Sequence, residues 1–316
     1  MLIDKARLSA LSACAALTLA ACSGGTPGTP ALTAPAGAGS SMARHGWISP
    51  LAKKKKLLYV TDYNSSVVLI YQQGNTGAGP IGEIATGIDT PEGDAVDASG
   101  TLYVANNGNN TVTEYPAGAM SPSVTLSTDI ADPLDVSVDT KGIVYVADGG
   151  PAGEVLEFEP GSTSPNATVS MPHPSGETNA KNGNLYVTHN ASSVGKVAEC
   201  KPLATTCKDL GISVEYAQGV AIDLHGNLLV GDVYAQVIDI YKRGATSPFR
   251  TIAVPYEQPS KFALDKTDAT LYMADPANFA VDLYDYSTGT LESTFTFGSA
   301  DELEGVALAP GQKPGK

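Results

Sequence analysis

The chain reads as an all-β protein, a six-bladed β-propeller of four-stranded antiparallel blades, on three observations. A strand-and-turn phrase returns six times, as LYVTDYN, LYVANNG, VYVADGG, LYVTHNA, LLVGDVY and LYMADPA, anchored at Tyr59, Tyr103, Tyr145, Tyr186, Leu229 and Tyr272. The anchors stand 44, 42, 41, 43 and 43 residues apart, a period that belongs to propellers and solenoids. No apolar set recurs at helical spacing for long enough to place a helix between the strands. Sheets that repeat in this way bury their faces only against neighbours, so the ring has to close on itself.

The leader comes first. Lys5 and Arg7 precede an apolar, small-residue run from Leu8 to Ala21, which is too short for a spanning helix and has the form of a secretory signal. A Gly/Pro/Thr/Ala-rich stretch follows, ending in Lys53 to Lys56. It reads as a flexible tether over 22–56. The lysine run is either a solvated spacer or a contact with anionic headgroups, where each basic residue contributes roughly 1 kcal/mol close to the surface.

Residues 57–311 hold the repeats. In the second copy, Gly93 to Val96 is a short apolar strand, Asp97-Ala98-Ser99-Gly100 turns the chain, and Thr101 to Ala105 returns. The aspartate suits a capped tight turn and the glycine a positive φ. The turn recurs at Asp139 to Gly142 and Asp223 to Gly226, with looser forms at Lys181 to Gly183 and Asp265 to Asp268. A third strand ends on an aromatic at Tyr71, Tyr115, Phe158, Tyr241 and Tyr284. A Gly-x-x-Ser-Pro corner then follows at Gly118, Gly161 and Gly244, and leads into a fourth strand. The first copy lacks its leading strand. Leu303 to Pro310 matches the missing segment, so the C-terminus is expected to close the ring inside blade 1, leaving 312–316 as a tail.

Cys200 and Cys207 flank six residues of an expected hairpin. Two close thiols in an oxidising compartment pair. A shared metal is the alternative, but no further cysteine or nearby histidine completes a site. The formal charge is −14. From Leu57 onward there are 12 Lys/Arg against 32 Asp/Glu, a net of −20. A body this acidic repels phosphate backbones, so nucleic acid is not an expected partner. A closed ring leaves no strand edge to pair, and a monomer is expected.

Leu19-Ala20-Ala21-Cys22 resembles the lipobox of bacterial lipoproteins. The resemblance implies cleavage after Ala21, a lipid on Cys22 that anchors the chain to a membrane, and an exported protein of the cell envelope. An ordinary signal peptide ending near a cysteine is the plainer reading. Ser23 resembles the pattern sent to the outer membrane. The Pro-x-Gly-φ-Ala-φ-Asp…Gly-x-Leu-Tyr-Val-Ala-Asp pattern resembles the NHL-repeat and gluconolactonase-like six-bladed propellers over Leu57 to Pro310. In the gluconolactonase family a divalent metal in the channel is held by the residue just before the leading-strand glycine. The equivalent positions here are Glu304, Glu92, Leu134, Ser175, Gln218 and Ser260. Glu92 and Glu304, with Gln218 as a neutral third group, offer the oxygen ligands that Ca²⁺ or another divalent cation takes. The family's Asn and Asp are missing, and Asp135 falls one place later, where its side chain need not face the channel. Plain channel lining is the alternative.

Propeller lyases, a second resemblance, use histidines. His173 and His189, near Glu177 and Asn190 on the entrance side of blade 4, are the candidate pair for a transition metal. His225 falls in a turn on the opposite face. Asp62, Asn64, Asn106, Asn107, Asp148, Asp232 and Asp275 read as turn caps rather than ligands. No Gly-x-Ser-x-Gly elbow, phosphate loop or His-Glu-x-x-His is present. Two functions follow as expectations. One is a non-catalytic scaffold that binds a small molecule, peptide or protein; the other is a metal-dependent lactonase-like hydrolase.

Overall fold

A computed structural model describes residues 46–49, 52, 55–74, 79–255, 258–297 and 302–310. The leader, Cys22, most of the tether and residues 311–316 lie outside the described residues. Six antiparallel sheets form the six blades of a β-propeller. Within a blade the chain runs from the channel outward, for example Pro91–Val96, Leu102–Asn106, Thr111–Tyr115 and Val124–Leu126 in blade 2. Each inner strand packs beside the inner strands of both neighbouring blades, which closes the ring. Among the described residues no helix is long and apolar enough to cross a membrane.

The repeat has a simple physical cause. Each blade alone exposes two apolar faces, and six core clusters fill the six junctions between blades. Between blades 1 and 2, for instance, Tyr59, Val68 and Ile70 meet Leu102, Val104 and Tyr115. Between blades 5 and 6, Ile238, Ile240 and Ile252 meet Leu271, Met273 and Tyr284. Alternation along each strand sends one set of side chains to each junction.

The closing strand lies where the sequence places it. Leu303–Leu308 pairs antiparallel with Leu57–Asp62, Leu58 facing Leu308 and Val60 facing Val306. At the other edge of the same blade the propeller begins earlier than Leu57. Trp47–Ile48, inside the stretch read as tether, pairs with Gly82 and Glu83 as a fifth strand. A two-residue strand with Trp47 exposed carries too little hydrophobic alternation to be seen in sequence.

The turns are as read. The Asp97, Asp139, Asp223 and Asp265 carboxylates accept backbone N–H groups two and four residues on. Gly100, Gly142 and Gly226 take positive φ. Blade 4 departs from the pattern. Cys200 stands opposite Leu185, the place that Tyr115 fills opposite Leu102, and its disulfide to Cys207 spans the connection where the other blades carry their corner. Replacing both cysteines by serine is expected to lower stability by about 2 kcal/mol, since the bond closes only a short loop. Chemical denaturation with and without reductant measures it.

Candidate functional site

The inner strands begin at the entrance face and run down the channel. In blades 1 to 5 their register against the next strand slips near the first residues. A bulge of this kind re-aims side chains. It puts Glu92, Leu134, Gln218 and Glu304 at the channel mouth, partly exposed, with Ser175 and Ser260 buried beside them.

Below the mouth lies a feature the sequence reading missed. Two blades replace the leading-strand glycine: Asp135 stands there in blade 3 and Lys261 in blade 6, on opposite sides of the ring. Their side chains meet across the channel at 3.1 Å, both about nine-tenths buried. Lys261 Nζ also donates to the Ser175 carbonyl. Asp135 accepts the Glu177 amide at 2.9 Å and the Val136 amide at 3.0 Å. The expectation that Asp135 need not face the channel is therefore corrected. The reason is the glycine one blade earlier: a Cβ on Gly93 would stand 2.0 Å from Asp135 Oδ1, so the carboxylate occupies space that only glycine leaves open.

Asp94 from blade 2 and Glu177 from blade 4 flank this pair. Both oxygens of each carboxyl are sealed from solvent without a hydrogen-bond partner among the described residues, although the Ser137 amide and hydroxyl lie close enough to favour the ionised form of Glu177. Burial, then the Asp135 charge, holds Asp94 and Glu177 well above the ordinary carboxylate value. Burial also raises Asp135, and the Lys261 ammonium offsets this only in part. Three carboxyls and one ammonium thus form a polar plug across the mid-channel. Glu177 belongs to the plug, not to a histidine site at the entrance.

The mouth residues do not fit the metal that the gluconolactonase resemblance implies. Leu134 has no lone pair to give. The Ser175 hydroxyl accepts from the Asn190 amide at 2.9 Å and leans on the His173 carbonyl at 3.3 Å. Among the described residues, Glu92 and Glu304 gather no third His, Cys, Asp or Glu near enough to share an ion. Their neighbours instead lash the strands together. Thr61 Oγ1 donates to the Glu92 carbonyl at 2.6 Å and accepts the Gly305 amide at 2.6 Å, and Thr188 does the same for the Gln218 carbonyl.

His173 is exposed and His189 buried, its imidazole held below the usual value by burial. Among the described residues the two form no ligand cluster with a third His, Cys, Asp or Glu. The one such cluster among the described residues is Asp223, His225 and Asp268 on the exit face. There Asp223 already accepts from Asn227, Tyr286 and the His225 amide, and Asp268 from the Leu224 amide, so the group builds turns. The capping reading holds for four of the remaining polar residues. Asp62 accepts the Ser65 amide, and Asp148 the Gly150 amide together with those of Ala131 and Asp132. Asp232 accepts the Ala235 amide together with those of Glu215 and Tyr216, and Asp275 caps its turn likewise through the Ala277 amide. Asn107 instead donates its side-chain amide to Asp132 of blade 3, and Asn106 accepts the Asp89 amide.

No family model and no curated protein sequence matches the chain. Solved structures do. A chain in the crystal structure of a nidogen/laminin complex aligns with a TM-score of 0.65 at 16% identity, covering 82% of this chain and 100% of that one. A protein of unknown function from Bacteroides caccae aligns at 0.62 and 13% identity over 81% and 99%. The Kuenenia stuttgartiensis hydrazine synthase aligns at 0.57 and 16% identity over 76% and 75%. At these identities the likeness is one of fold.

Proposed function

We propose that this chain is an exported, envelope-anchored scaffold, held by a lipid on Cys22, whose propeller binds a ligand on its entrance face without turning it over. The observation that supports this reading is the plug. A channel closed by the buried Asp135–Lys261 pair admits no substrate to its middle, while the mouth above it keeps partly exposed Glu92, Gln218 and Glu304. Two of the six mouth positions offer little to a hydrolytic metal, since Leu134 has no lone pair and the Ser175 hydroxyl is engaged by Asn190, which favours binding over hydrolysis. The same fold serves many unrelated roles, so the site and not the fold carries the reading. The nidogen/laminin structure concerns a protein complex, in keeping with a propeller that presents a face to a partner.

The test uses the full-length chain in a bacterial host. Labelled fatty acid is expected to enter the wild-type protein and to be absent from Cys22→Ser, which should leave the membrane fraction. Lactone and ester substrates, offered with Ca²⁺ or Zn²⁺, are expected to show no turnover. Lipid-free protein, or turnover that Glu92→Gln abolishes, would overturn the corresponding half of the reading.

A further inference from the structure

The two faces of the ring carry different charge. Strand direction assigns each turn to a face: inner-strand starts and second-to-third-strand loops form the entrance, the Asp-x-x-Gly turns and outer corners the exit. Among the described residues every Lys and Arg lies on the exit face except Lys261, sealed in the plug, and Lys196. Lys196 alternates with Val197, which packs toward blade 5, so it points the other way, and it is paired with Asp209 at 3.0 Å. The entrance face meanwhile carries the part-exposed or exposed Asp89, Glu92, Asp129, Asp132, Glu215 and Glu302, and among the described residues no exposed cation other than the part-exposed, acid-paired Lys196 accompanies them.

On that face, between blades 4 and 5, lies a cleft of ≈ 590 Å³ lined by Val194, Ser213, Glu215, Tyr234 and Asp239. Tyr234 is 68% exposed, and its ring leans on Tyr216 with centroids 5.0 Å apart. Val194 beside it is 40% exposed. Asp239 alternates with Ile238 and Ile240, which pack toward blade 6, so its carboxylate lies on the cleft side, where one oxygen accepts from the Thr251 hydroxyl at 2.5 Å. An exposed aromatic ring held by a second ring, with carboxylates around it, is the setting in which a guanidinium or ammonium group binds through both its charge and the ring face.

We propose that this cleft seats an Arg or Lys side chain of a basic polypeptide segment that docks across the entrance face. This rests on the reading of the entrance face as the binding face and names its partner's chemistry. Charge complementarity selects the occupant: the face offers carboxylates and a π surface, and among the described residues it has no unpaired cation with which to meet an acidic or phosphorylated partner.

The experiment is fluorescence anisotropy of the mature chain with a labelled oligo-arginine peptide, an oligo-glutamate peptide of equal length and a neutral oligosaccharide, at low and physiological salt. Binding of the basic peptide alone is expected. Tyr234→Ala should weaken it roughly tenfold, as for a central aromatic anchor. Tyr234→Phe should retain it, and Glu215→Gln should weaken it about threefold with a flatter salt dependence. Phe249→Ala, which removes an exposed ring on the exit face, should change nothing. Affinity indifferent to Tyr234→Ala overturns the cleft. If Glu92→Gln with Glu304→Gln then lowers that affinity, the entrance face remains the binding face with a different seat. Binding of the oligosaccharide in place of the peptide, or of neither, overturns the proposal outright.

Discussion

Lys261→Met is expected to destabilise the propeller by about 3 kcal/mol or more at neutral pH, because it leaves Asp135 buried without its cation. The ammonium is the only cation in the plug, and the carboxylate is held in place by two backbone amides and the space above Gly93. The loss should grow with alkalinity, since the orphaned Asp135 can escape only by taking a proton, at about 1.4 kcal/mol per pH unit. Asp135→Asn in the Lys261→Met background should recover much of the loss. Urea unfolding at several pH values measures both effects. A pH-independent cost, or no recovery, would sink the account.

The same centre sets how wild-type stability varies with pH. Asp94 and Glu177 have folded-state values raised well above the ordinary carboxylate range. A folded state that holds its protons more tightly than the unfolded chain is favoured in acid. The contribution is fully present below the ordinary carboxylate value near pH 4 and is lost as pH rises through the raised folded-state values. Asp94→Asn and Glu177→Gln keep the neutral, hydrogen-bonding form at every pH. They are expected to flatten the decline and to be more stable than wild type at the alkaline end. Unchanged pH profiles in both variants would show that these carboxyls are solvated and the plug is open.

Ending the chain after Ala300 is the second large effect expected. It removes the inner strand of blade 1, and with it Leu303 at 0% and Val306 at 5% exposure. These two side chains alone contribute about 3–6 kcal/mol. The loss also leaves the Leu57–Asp62 strand with an unpaired edge on the channel side and opens the junction where Tyr272 and Leu283 meet Leu58 and Val60. Calorimetry should show the single cooperative transition replaced by a broad one, its van't Hoff enthalpy well below the calorimetric value. A sharp transition at the wild-type Tm would mean that the ring does not depend on its last strand.

What could be read from the residues in order was everything that repeats. The Tyr59-to-Tyr272 spacing, the Asp-x-x-Gly turns, the cysteine pair and the match of Leu303–Leu308 to the missing strand are local patterns, and local patterns are printed in sequence because each blade solves the same packing problem. The plug was hidden for the opposite reason. Asp135 and Lys261 are 126 positions apart, each looks like a lone break in a glycine pattern, and a bulge shifts which residue of the inner strand turns inward. Only closure of the ring sets blade 3 opposite blade 6 and makes an ion pair of two irregularities. The division of charge between the faces arises in the same way: the acidic total belongs to the composition, but strand direction decides that the exposed lysines among the described residues gather at one end of the channel and the aromatic cleft at the other.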